Sequence, residues 1–342
     1  MTQLRVGLSG CGRRGNEVIE AIRRHDHCDV IALHDVDPGA TLRLGKAFGI
    51  QQQTNHFSQL LETGIDFVVL AGPCGDRLPQ VLEAADQGVH CLLHAPMAPD
   101  AECAAQMVEA CDNARVKLGV TVREQAFPAI EQIRQMVASD WLGAPVAVTA
   151  LYGEDDALRT PPPAGHWRRD ARRNGDHAML QLATEHIHLT SWLIGRGPLR
   201  ATSLSSSGFS VMPQDNASAT LELRGGLLCS FSASHLTNSN ALAIHGTDGA
   251  IRMAPDRVHL RGRREWRGEV FDYLEPEAEM TLQRQPSPAT EEQMERFELH
   301  GRFARWIDDR DDFPCPGDQA ALDMRICDAF ARAQTSGQTE SI

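Results

Sequence analysis

Residues 4–15 read Leu-Arg-Val-Gly-Leu-Ser-Gly-Cys-Gly-Arg-Arg-Gly and decide how the first half of the chain folds. The apolar run at 4–8 has the length of a buried parallel strand. Three glycines then follow in the spacing GxGxxG, and apolar residues recur at helical spacing from Val18 to Ile22. The pattern predicts a strand, a tight glycine loop and a helix, in that order.

Each glycine of this loop has a separate physical role. Gly10 permits the tight turn, Gly12 lets the backbone approach a pyrophosphate, and Gly15 lets the helix pack closely on the strand. The free N–H groups and the positive dipole at the helix N-terminus favour bound phosphates. We therefore expect a dinucleotide to bind along the whole loop, which consists of Gly10, Cys11, Gly12, Arg13, Arg14 and Gly15.

The end of the second predicted strand indicates which dinucleotide is bound. This strand, at 30–33, leads to Asp35, which lies twenty residues past Gly15. A carboxylate here would accept hydrogen bonds from the adenosine ribose hydroxyls and repel a 2′-phosphate. Asp37 adds negative charge, and no arginine follows before Arg43. NAD is favoured over NADP, and the alternative is that Asp35 only caps a turn.

The rest of the pattern predicts two domains. In residues 1–122, strands alternate with helices as a doubly wound parallel sheet of the Rossmann type requires, which makes this domain α/β. Residues 123–342 are rich in strands and carry turn signals such as Gly225-Gly226, so we predict an α+β domain with an open, mostly antiparallel sheet. A closing helix is predicted at 318–335.

Composition excludes several classes of protein. A net charge of −13 argues against a nucleic-acid partner. No uncharged apolar run is long enough to span a membrane, and the chain opens on its first strand, so we expect neither a membrane anchor nor a signal peptide. The nine cysteines include no CxxC pair, which suits free thiols in a reducing compartment. We expect a cytoplasmic protein.

These motifs and several later ones resemble the Gfo/Idh/MocA family, named for glucose–fructose oxidoreductase and inositol 2-dehydrogenase. Gly72 and Pro73 resemble the end of the family strand beside the nicotinamide ribose. Trp167 and Arg168 resemble the segment before the catalytic helix, and residues 192–195 resemble the end of that helix. The resemblance implies an NAD-dependent oxidoreductase that acts on the CH–OH group of a sugar, polyol or related hydroxy compound.

The chain departs from the family pattern after its fourth predicted strand. Where the resemblance implies Glu-Lys-Pro, the chain has His94-Ala95-Pro96. The family lysine hydrogen-bonds the substrate hydroxyl, and alanine cannot donate, accept or carry charge. The resemblance places His94 and Pro96 beside the cofactor, and His94 would supply the acid of a rebuilt acid/base pair.

A second departure lies on the predicted catalytic helix. Ungapped counting back from residue 195 places Glu185 where the resemblance implies a histidine. Gln181, Glu185 and His188 share one face of an ideal helix, whereas His186 points about 100° away. We therefore expect Glu185 and His188 to act in catalysis with His94. A carboxylate whose pKa burial raises would serve as the general base.

Further candidates for substrate contacts lie close to this helix. They are Trp167, Arg168, His177 and Gln181, of which the first three belong to a long, proline-rich loop at 153–177. Arg168 would pair with a substrate carboxylate or hydroxyl, or alternatively with Asp170 or Glu154. Zinc helices use ligands at i and i+4, so the pair His186 and His188 does not predict a metal site.

Three functions remain open from the sequence. The first is the oxidoreductase with atypical acid/base residues. The second is a catalytically silent NAD-binding protein that regulates or binds a ligand, and the third is a redox-neutral lyase or glycoside-cleaving enzyme that holds NAD tightly. Since the family sheet is usually covered by another subunit, we also expect a homodimer or homotetramer through the C-terminal sheet.

Overall fold

The computed structural model describes residues 3–24, 26–254, 257–262, 265–266, 269–270, 280–283 and 298–342. The chain divides into two compact units, which we call unit 1 (residues 1–122 and 289–322) and unit 2 (residues 123–288 and 323–342). The sequence predicts a domain boundary at residue 122. This boundary stays a prediction. In the described part of the chain, no helix has the length and apolar character needed to cross a membrane.

Unit 1 is built on a six-stranded parallel sheet in the order β3-β2-β1-β4-β5-β6. Its strands are β1 Leu4–Ser9, β2 Cys28–His34, β3 Gln52–Thr54, β4 Phe67–Leu70, β5 His90–His94 and β6 Leu118–Thr121. The helices between them are α1 Arg13–Ile22, α2 Pro38–Phe48, α3 Phe57–Leu61, α4 Arg77–Asp86 and α5 Ala101–Ala114. The predicted doubly wound sheet is confirmed.

The burial of the central strands explains why they read as continuous apolar runs. All four residues of β4 are buried, and so are Val6 and Leu8 of β1. A parallel sheet has helices on both faces, so its strands cannot alternate between apolar and polar residues. The order in which successive strands are added reverses between β1 and β4, and ligands of such sheets bind at the carboxyl ends of the strands at this point.

Unit 2 contains a nine-stranded sheet in the order β16-β13-β12-β11-β7-β10-β9-β8-β17 among the described residues. The strands of unit 2 are β7 Pro145–Gly153, β8 Pro198–Ser206, β9 Asn216–Leu223, β10 Leu227–Ser234, β11 Ser239–Gly246, β12 Gly249–Met253, β13 Arg257–Gly262, β14 Glu265–Trp266, β15 Glu269–Val270, β16 Met280–Gln283 and β17 Glu340–Ser341. Among the described strands of unit 2, only β7 and β10 pair in parallel, so the predicted mostly antiparallel sheet is confirmed.

The helices of unit 2 are α6 Pro128–Ala138, α7 Asp156–Arg159, α8 Ala171–Asn174, α9 Thr184–Ile194 and most of α11 Gly317–Ser336. Of these, α9 contacts β7 and α11 packs on β10. Phe231 of β10 packs against Phe330 of α11, with ring centroids 6.3 Å apart. Residues of β10 alternate between buried and exposed along Leu227–Phe231, as expected for a sheet with one covered face.

A late segment of the chain returns to unit 1. Helix α10, Leu299–Ile307, places Phe303 against Phe67 of β4 at 5.4 Å and against Phe313 at 5.3 Å between ring centroids. Cys315 then accepts a hydrogen bond from the backbone of Val120 in β6. The aromatic cluster therefore attaches this segment to the sheet of unit 1.

Candidate functional site

The glycine loop of unit 1 has the geometry of a phosphate cradle. Gly10 has φ +104°, and a Cβ there would lie 2.7 Å from the backbone nitrogen of Gly72. A Cβ on Gly15 would collide with the Gly10 carbonyl oxygen, whereas a Cβ on Gly12 would meet nothing within 4 Å. Gly12 is the N-cap of α1 and supplies no side-chain cap, so the helix N-terminus stays open to a phosphate.

Asp35 follows β2 and reaches the glycine loop. Its Oδ2 accepts a hydrogen bond from the Cys11 N–H at 2.7 Å, and its Oδ1 accepts one from the Asp37 N–H at 2.9 Å. A carboxylate has about four lone-pair sites, so each oxygen can still accept a ribose hydroxyl. Asp37 caps α2 through the Gly39 N–H and lies 3.6 Å from an Arg43 nitrogen. The geometry fits a dinucleotide ribose beside Asp35.

Arg77 is a buried residue of α4 that the sequence analysis did not single out. Its guanidinium donates to the Gly72 carbonyl at 3.1 and 2.8 Å, to the His94 carbonyl at 2.5 Å and to the Pro96 carbonyl at 2.7 Å. Burial lowers the pKa of Arg77 to about 10, which leaves it charged at neutral pH. Arg77 therefore joins the chain after β4 to the chain on both sides of Ala95.

His94 lies at the end of β5. Its Nδ1 is 2.8 Å from the Thr121 hydroxyl of β6, and its ring centroid is 6.1 Å from that of His300. Burial holds the pKa of His94 well below its usual value, and the positive charges of Arg14, His300 and Arg77 lower it further. The ring is therefore neutral at physiological pH.

In unit 2, Glu185 begins the first turn of α9 after a π-helical turn at Met179–Ala183. Burial alone would lower the pKa of Arg123, but the nearby carboxylates of Glu124 and Glu185 raise it above its usual value. The pKa of Tyr152 is raised by burial and then by Glu154 and Glu185. Glu185 is thus half-buried and interacts electrostatically with the Arg123 guanidinium and the Tyr152 phenol.

His188 lies one turn further along α9 and is 3% exposed. Its Nδ1 is 2.8 Å from Asp323 Oδ2 of α11, and its Nε2 is 3.1 Å from the Gln125 side-chain nitrogen. If this nitrogen donates, His188 accepts at Nε2 and donates its Nδ1–H to Asp323. Burial raises the pKa of Asp323, and His188 opposes that shift. His188 is therefore held on both sides of its ring.

His186 has different partners from His188. Its Nε2 is 2.9 Å from Asn240 Oδ1, and its ring centroid lies 5.2 Å from that of Tyr152. His186 therefore bonds to β11 through Asn240, whereas His188 bonds to α11 through Asp323. This is the divergence expected of positions i and i+2 on a helix.

The expected substrate residues form two groups in unit 2. Gln181 donates to the Gly175 carbonyl at 2.8 Å, and its Oε1 is 2.8 Å from His235 Nε2. Arg168 lies over the Trp167 ring, 5.6 Å from its centroid. Charges of Glu154 and Arg168 both act on His235, whose pKa burial lowers. His235 thus links the two groups electrostatically.

His177 stands apart from these residues. It is 3% exposed, and its Nδ1 accepts the Leu180 N–H at 3.2 Å, so it caps the start of the π-helical turn. Burial lowers the pKa of His177 to about 4. The loop at 153–177 that carries it contains α7, α8 and a 3₁₀ turn at Trp167–Arg169.

Four polar residues of unit 2 were not predicted from the sequence: Arg123, Tyr152, His235 and Asp323. Tyr152 and Glu154 lie at the end of β7, where the Tyr152 hydroxyl donates to Glu154 Oε1 at 2.8 Å. A polar pair at the end of an otherwise apolar strand is a signal that a sequence does carry. Asp323 has no such signal, because its partner His188 lies 135 residues away in the chain.

Both halves of the chain match models of known protein families. Residues 4–122 match the oxidoreductase family with an NAD-binding Rossmann fold, and residues 130–252 match the GFO/IDH/MocA C-terminal domain. A solved structure of levoglucosan dehydrogenase with NADH and levoglucosan is similar over the full length of both chains, with a TM-score of 0.86 and 16% identity. This likeness concerns the fold.

Two characterised relatives show more distant sequence similarity. The D-xylose 1-dehydrogenase [NADP(+)] of Haloarcula marismortui is 24% identical over 194 residues, which cover 56% of this chain and 54% of that enzyme. The D-apiose dehydrogenase of Paraburkholderia graminis is 24% identical over 266 residues, or 75% of this chain and 69% of that enzyme. The chain thus spans little more than half the length of the xylose dehydrogenase.

Proposed function

Since the chain belongs to the Gfo/Idh/MocA family of oxidoreductases, we propose that it is an NAD-dependent oxidoreductase acting on the CH–OH group of a sugar, polyol or related hydroxy compound. The observation that carries the proposal is the position of Glu185. At the position of the family histidine, the chain has Glu185, which is ionisable and half-buried. Glu185 interacts electrostatically with Arg123 and Tyr152. Loss of function would more often leave an apolar side chain there.

The cofactor would be held by the glycine loop and Asp35. Gly10, Gly12 and Gly15 would admit the pyrophosphate at the N-terminus of α1, and Asp35 would accept the adenosine ribose hydroxyls. Residues Cys11, Arg13, Arg14, Gly72, Pro73, His94 and Pro96 complete the proposed cofactor set. NAD, when bound, supplies the acceptor for hydride, while this chain's residues orient the substrate and take up its hydroxyl proton.

The substrate would be held and deprotonated by residues of unit 2. Glu185 is the proposed proton acceptor, with Arg123 stabilising its carboxylate. His188, fixed by Asp323 and Gln125, is proposed to act with it. Trp167, Arg168, Gln181 and His177 remain the proposed substrate residues, and the Arg168–Trp167 and Gln181–His235 contacts support the first three.

The proposal is tested by following NAD⁺ reduction at 340 nm across a panel of aldoses, polyols, inositols and sugar acids. We expect turnover with at least one of these classes. Glu185→Gln keeps the shape of the side chain but removes its basicity, so the rate should fall by on the order of 10²-fold or more. A protein that binds NADH yet oxidises nothing in the panel would contradict the proposal.

The missing lysine favours a second candidate, a silent NAD-binding protein. Ala95→Lys combined with Glu185→His restores the family pair and separates the two. If the site has been rebuilt, the double variant should lose activity, because a new ammonium perturbs the pKa values of nearby groups. If the site has decayed, the native protein should be inactive and the double variant should gain NAD-linked oxidation. A redox-neutral enzyme would instead convert substrate without net NADH formation.

A further inference from the structure

The hydroxyl of Thr121 decides which nitrogen of His94 carries the proton. Thr121 Oγ1 lies 2.8 Å from His94 Nδ1 and 3.3 Å from the Leu93 carbonyl oxygen. The hydroxyl has a single proton, and the carbonyl can only accept. If Thr121 donates to Leu93, its oxygen accepts the Nδ1–H of His94, and both bonds are satisfied. Nε2 is then the unprotonated nitrogen of the ring.

Nε2 of His94 is buried and has no hydrogen-bond partner among the residues that the structure describes. A buried acceptor left without a donor costs about 1–3 kcal/mol. Native proteins therefore fill such positions with ordered water or a ligand. The chemistry that fits this nitrogen is an O–H or N–H donor.

The charges around His94 keep the ring neutral. Arg14 of α1, Arg77 of α4 and His300 of α10 all act on it from the elements that pack around β5, and burial acts in the same direction. A positive charge near an imidazole disfavours a second proton on the ring. His94 therefore cannot serve at neutral pH as the acid that its place in the sequence suggests.

Arg77 also fixes the backbone that carries His94. Four of its N–H···O contacts go to the carbonyls of Gly72, His94 and Pro96, at 2.5 to 3.1 Å. The fork of a guanidinium can serve three carbonyls at once, which the single ammonium of lysine does with poorer geometry. The orientation of the His94 ring thus depends on Arg77 through the backbone and on Thr121 through the side chain.

We propose that Thr121 and Arg77 are positioning residues that hold His94 as a neutral hydrogen-bond acceptor for an O–H or N–H donor of the bound ligand. The inference rests on the proposed oxidoreductase function, which offers two such donors: a substrate hydroxyl next to the one that is oxidised, and the nicotinamide carboxamide. His94 orients the ligand in this scheme and transfers no proton. Glu185 remains the proposed proton acceptor.

The first test uses the apo protein and needs no activity. With ¹⁵N-labelled histidine, the His94 ring should show the Nδ1–H tautomer and stay neutral well below the usual histidine pKa. Arg77→Gln should raise the His94 pKa because it removes a positive charge, while Arg77→Lys should leave it low. Thr121→Val should shift the tautomer toward Nε2–H, and Thr63→Val, whose hydroxyl bonds to Leu60, should not. An Nε2–H tautomer or a charged ring at neutral pH in the native protein would overturn the proposal.

The second test measures ligand binding and identifies the donor. His94→Leu removes the acceptor and should weaken binding by about fivefold to tenfold, the value of one hydrogen bond, whereas His94→Gln should restore most of it. A rise in the NADH dissociation constant without substrate identifies the carboxamide. A rise in the substrate KM alone identifies the hydroxyl. If His94→Leu changes neither, a water molecule fills the site and the proposal is wrong.

The two tests also separate this inference from the proposed function. Should the protein oxidise nothing in the substrate panel, the NMR titration and the NADH dissociation constant remain measurable. Should Arg77→Gln fail to fold, Thr121→Val and the His94 variants still decide the outcome. Thr121→Val and the His94 variants remove no buried charge.

Discussion

At the scale of single residues, Asp35 shows how a carboxylate can be placed before any ligand arrives. Backbone N–H groups of Cys11 and Asp37 hold its two oxygens at 2.7 and 2.9 Å. Because these bonds fix the carboxylate beside the glycine loop, binding of a ribose requires little further ordering of the side chain. Asp37, by contrast, is occupied as the cap of α2 and lies near Arg43.

The cofactor preference should therefore depend on Asp35. We expect NADH to bind at least roughly tenfold more tightly than NADPH, because the carboxylate accepts the ribose hydroxyls and repels a 2′-phosphate. Asp35→Ala should narrow the difference, as measured by fluorescence titration of both cofactors. Asp37→Ala is the matched control and should change the ratio less. Equal dissociation constants in the native protein would contradict this prediction.

His177 makes a residue-scale prediction about pH. Burial lowers its pKa to about 4, so between pH 6.5 and 4 the unfolded chain binds a proton that the folded protein does not. The free energy of unfolding should therefore fall as the pH drops through this window, by roughly 2–3 kcal/mol from His177 alone. The pKa values of His34, His90, His94 and His235 are also lowered by burial, which adds to the slope.

Urea unfolding of the native protein and of His177→Gln at pH 7 and pH 5 measures this slope. The variant should lose less free energy of unfolding on acidification than the native protein does. A free energy of unfolding that rises as the pH falls from 7 to 5 would contradict this prediction.

At the scale of elements, the π-helical turn before α9 changes the spacing that an ideal helix gives. Residues 179–183 form this π-helical turn, and Gln181 within it contacts His235. Glu185 follows the turn and interacts electrostatically with Arg123 and Tyr152. From Glu185 onward the winding is α-helical, and His188 follows at three residues. Such π turns frequently occur at functional sites.

The winding of α9 makes a direct prediction for the rates of variants. Glu185→Gln should reduce kcat by on the order of 10²-fold. His186→Ala should cost far less, because His186 bonds to Asn240 and stacks near Tyr152 rather than sharing the face of Glu185 and His188. Steady-state kinetics on the substrate found by the panel measures both. If His186→Ala abolished activity and Glu185→Gln did not, the alignment with the family histidine would be wrong by one residue.

At the scale of the whole molecule, the sheet of unit 2 has one covered and one open face. The open face carries small and polar residues at its centre, with Leu151, Leu204 and Leu228 exposed by 39%, 77% and 51%. Ser230 of this face lies opposite Thr149 and Thr220, and all three residues are small. A flat face of this kind can lie against a second copy of itself.

We propose that the protein is a homo-oligomer, a dimer or tetramer, through this face. Leu228→Arg would place a large charged side chain on this face, so the oligomer should dissociate or weaken by at least tenfold, as measured by sedimentation velocity. Leu82→Arg is the control, because Leu82 is 39% exposed on α4 of unit 1. A native protein that sediments as a monomer at micromolar concentration would refute the proposal.

The family and the fold class of this protein were predictable from its sequence. The glycine spacing, the apolar runs and the turn pairs depend on contacts between residues close in the chain, so local patterns reveal them. The substitutions at Ala95 and Glu185 were equally visible, because each lies at a single position whose place is given by the motifs around it.

Only the tertiary structure decided what surrounds those positions. Arg77 reaches carbonyls up to 19 residues away, Thr121 lies 27 residues from His94, and Asp323 lies 135 residues from His188. These contacts form because sheet order and helix packing bring distant segments together, and no local pattern encodes that order. The π-helical turn likewise follows from packing. The sequence thus identified the groups that carry charge, and the fold determined which of them is neutral, buried or fixed, because those properties depend on neighbours in space.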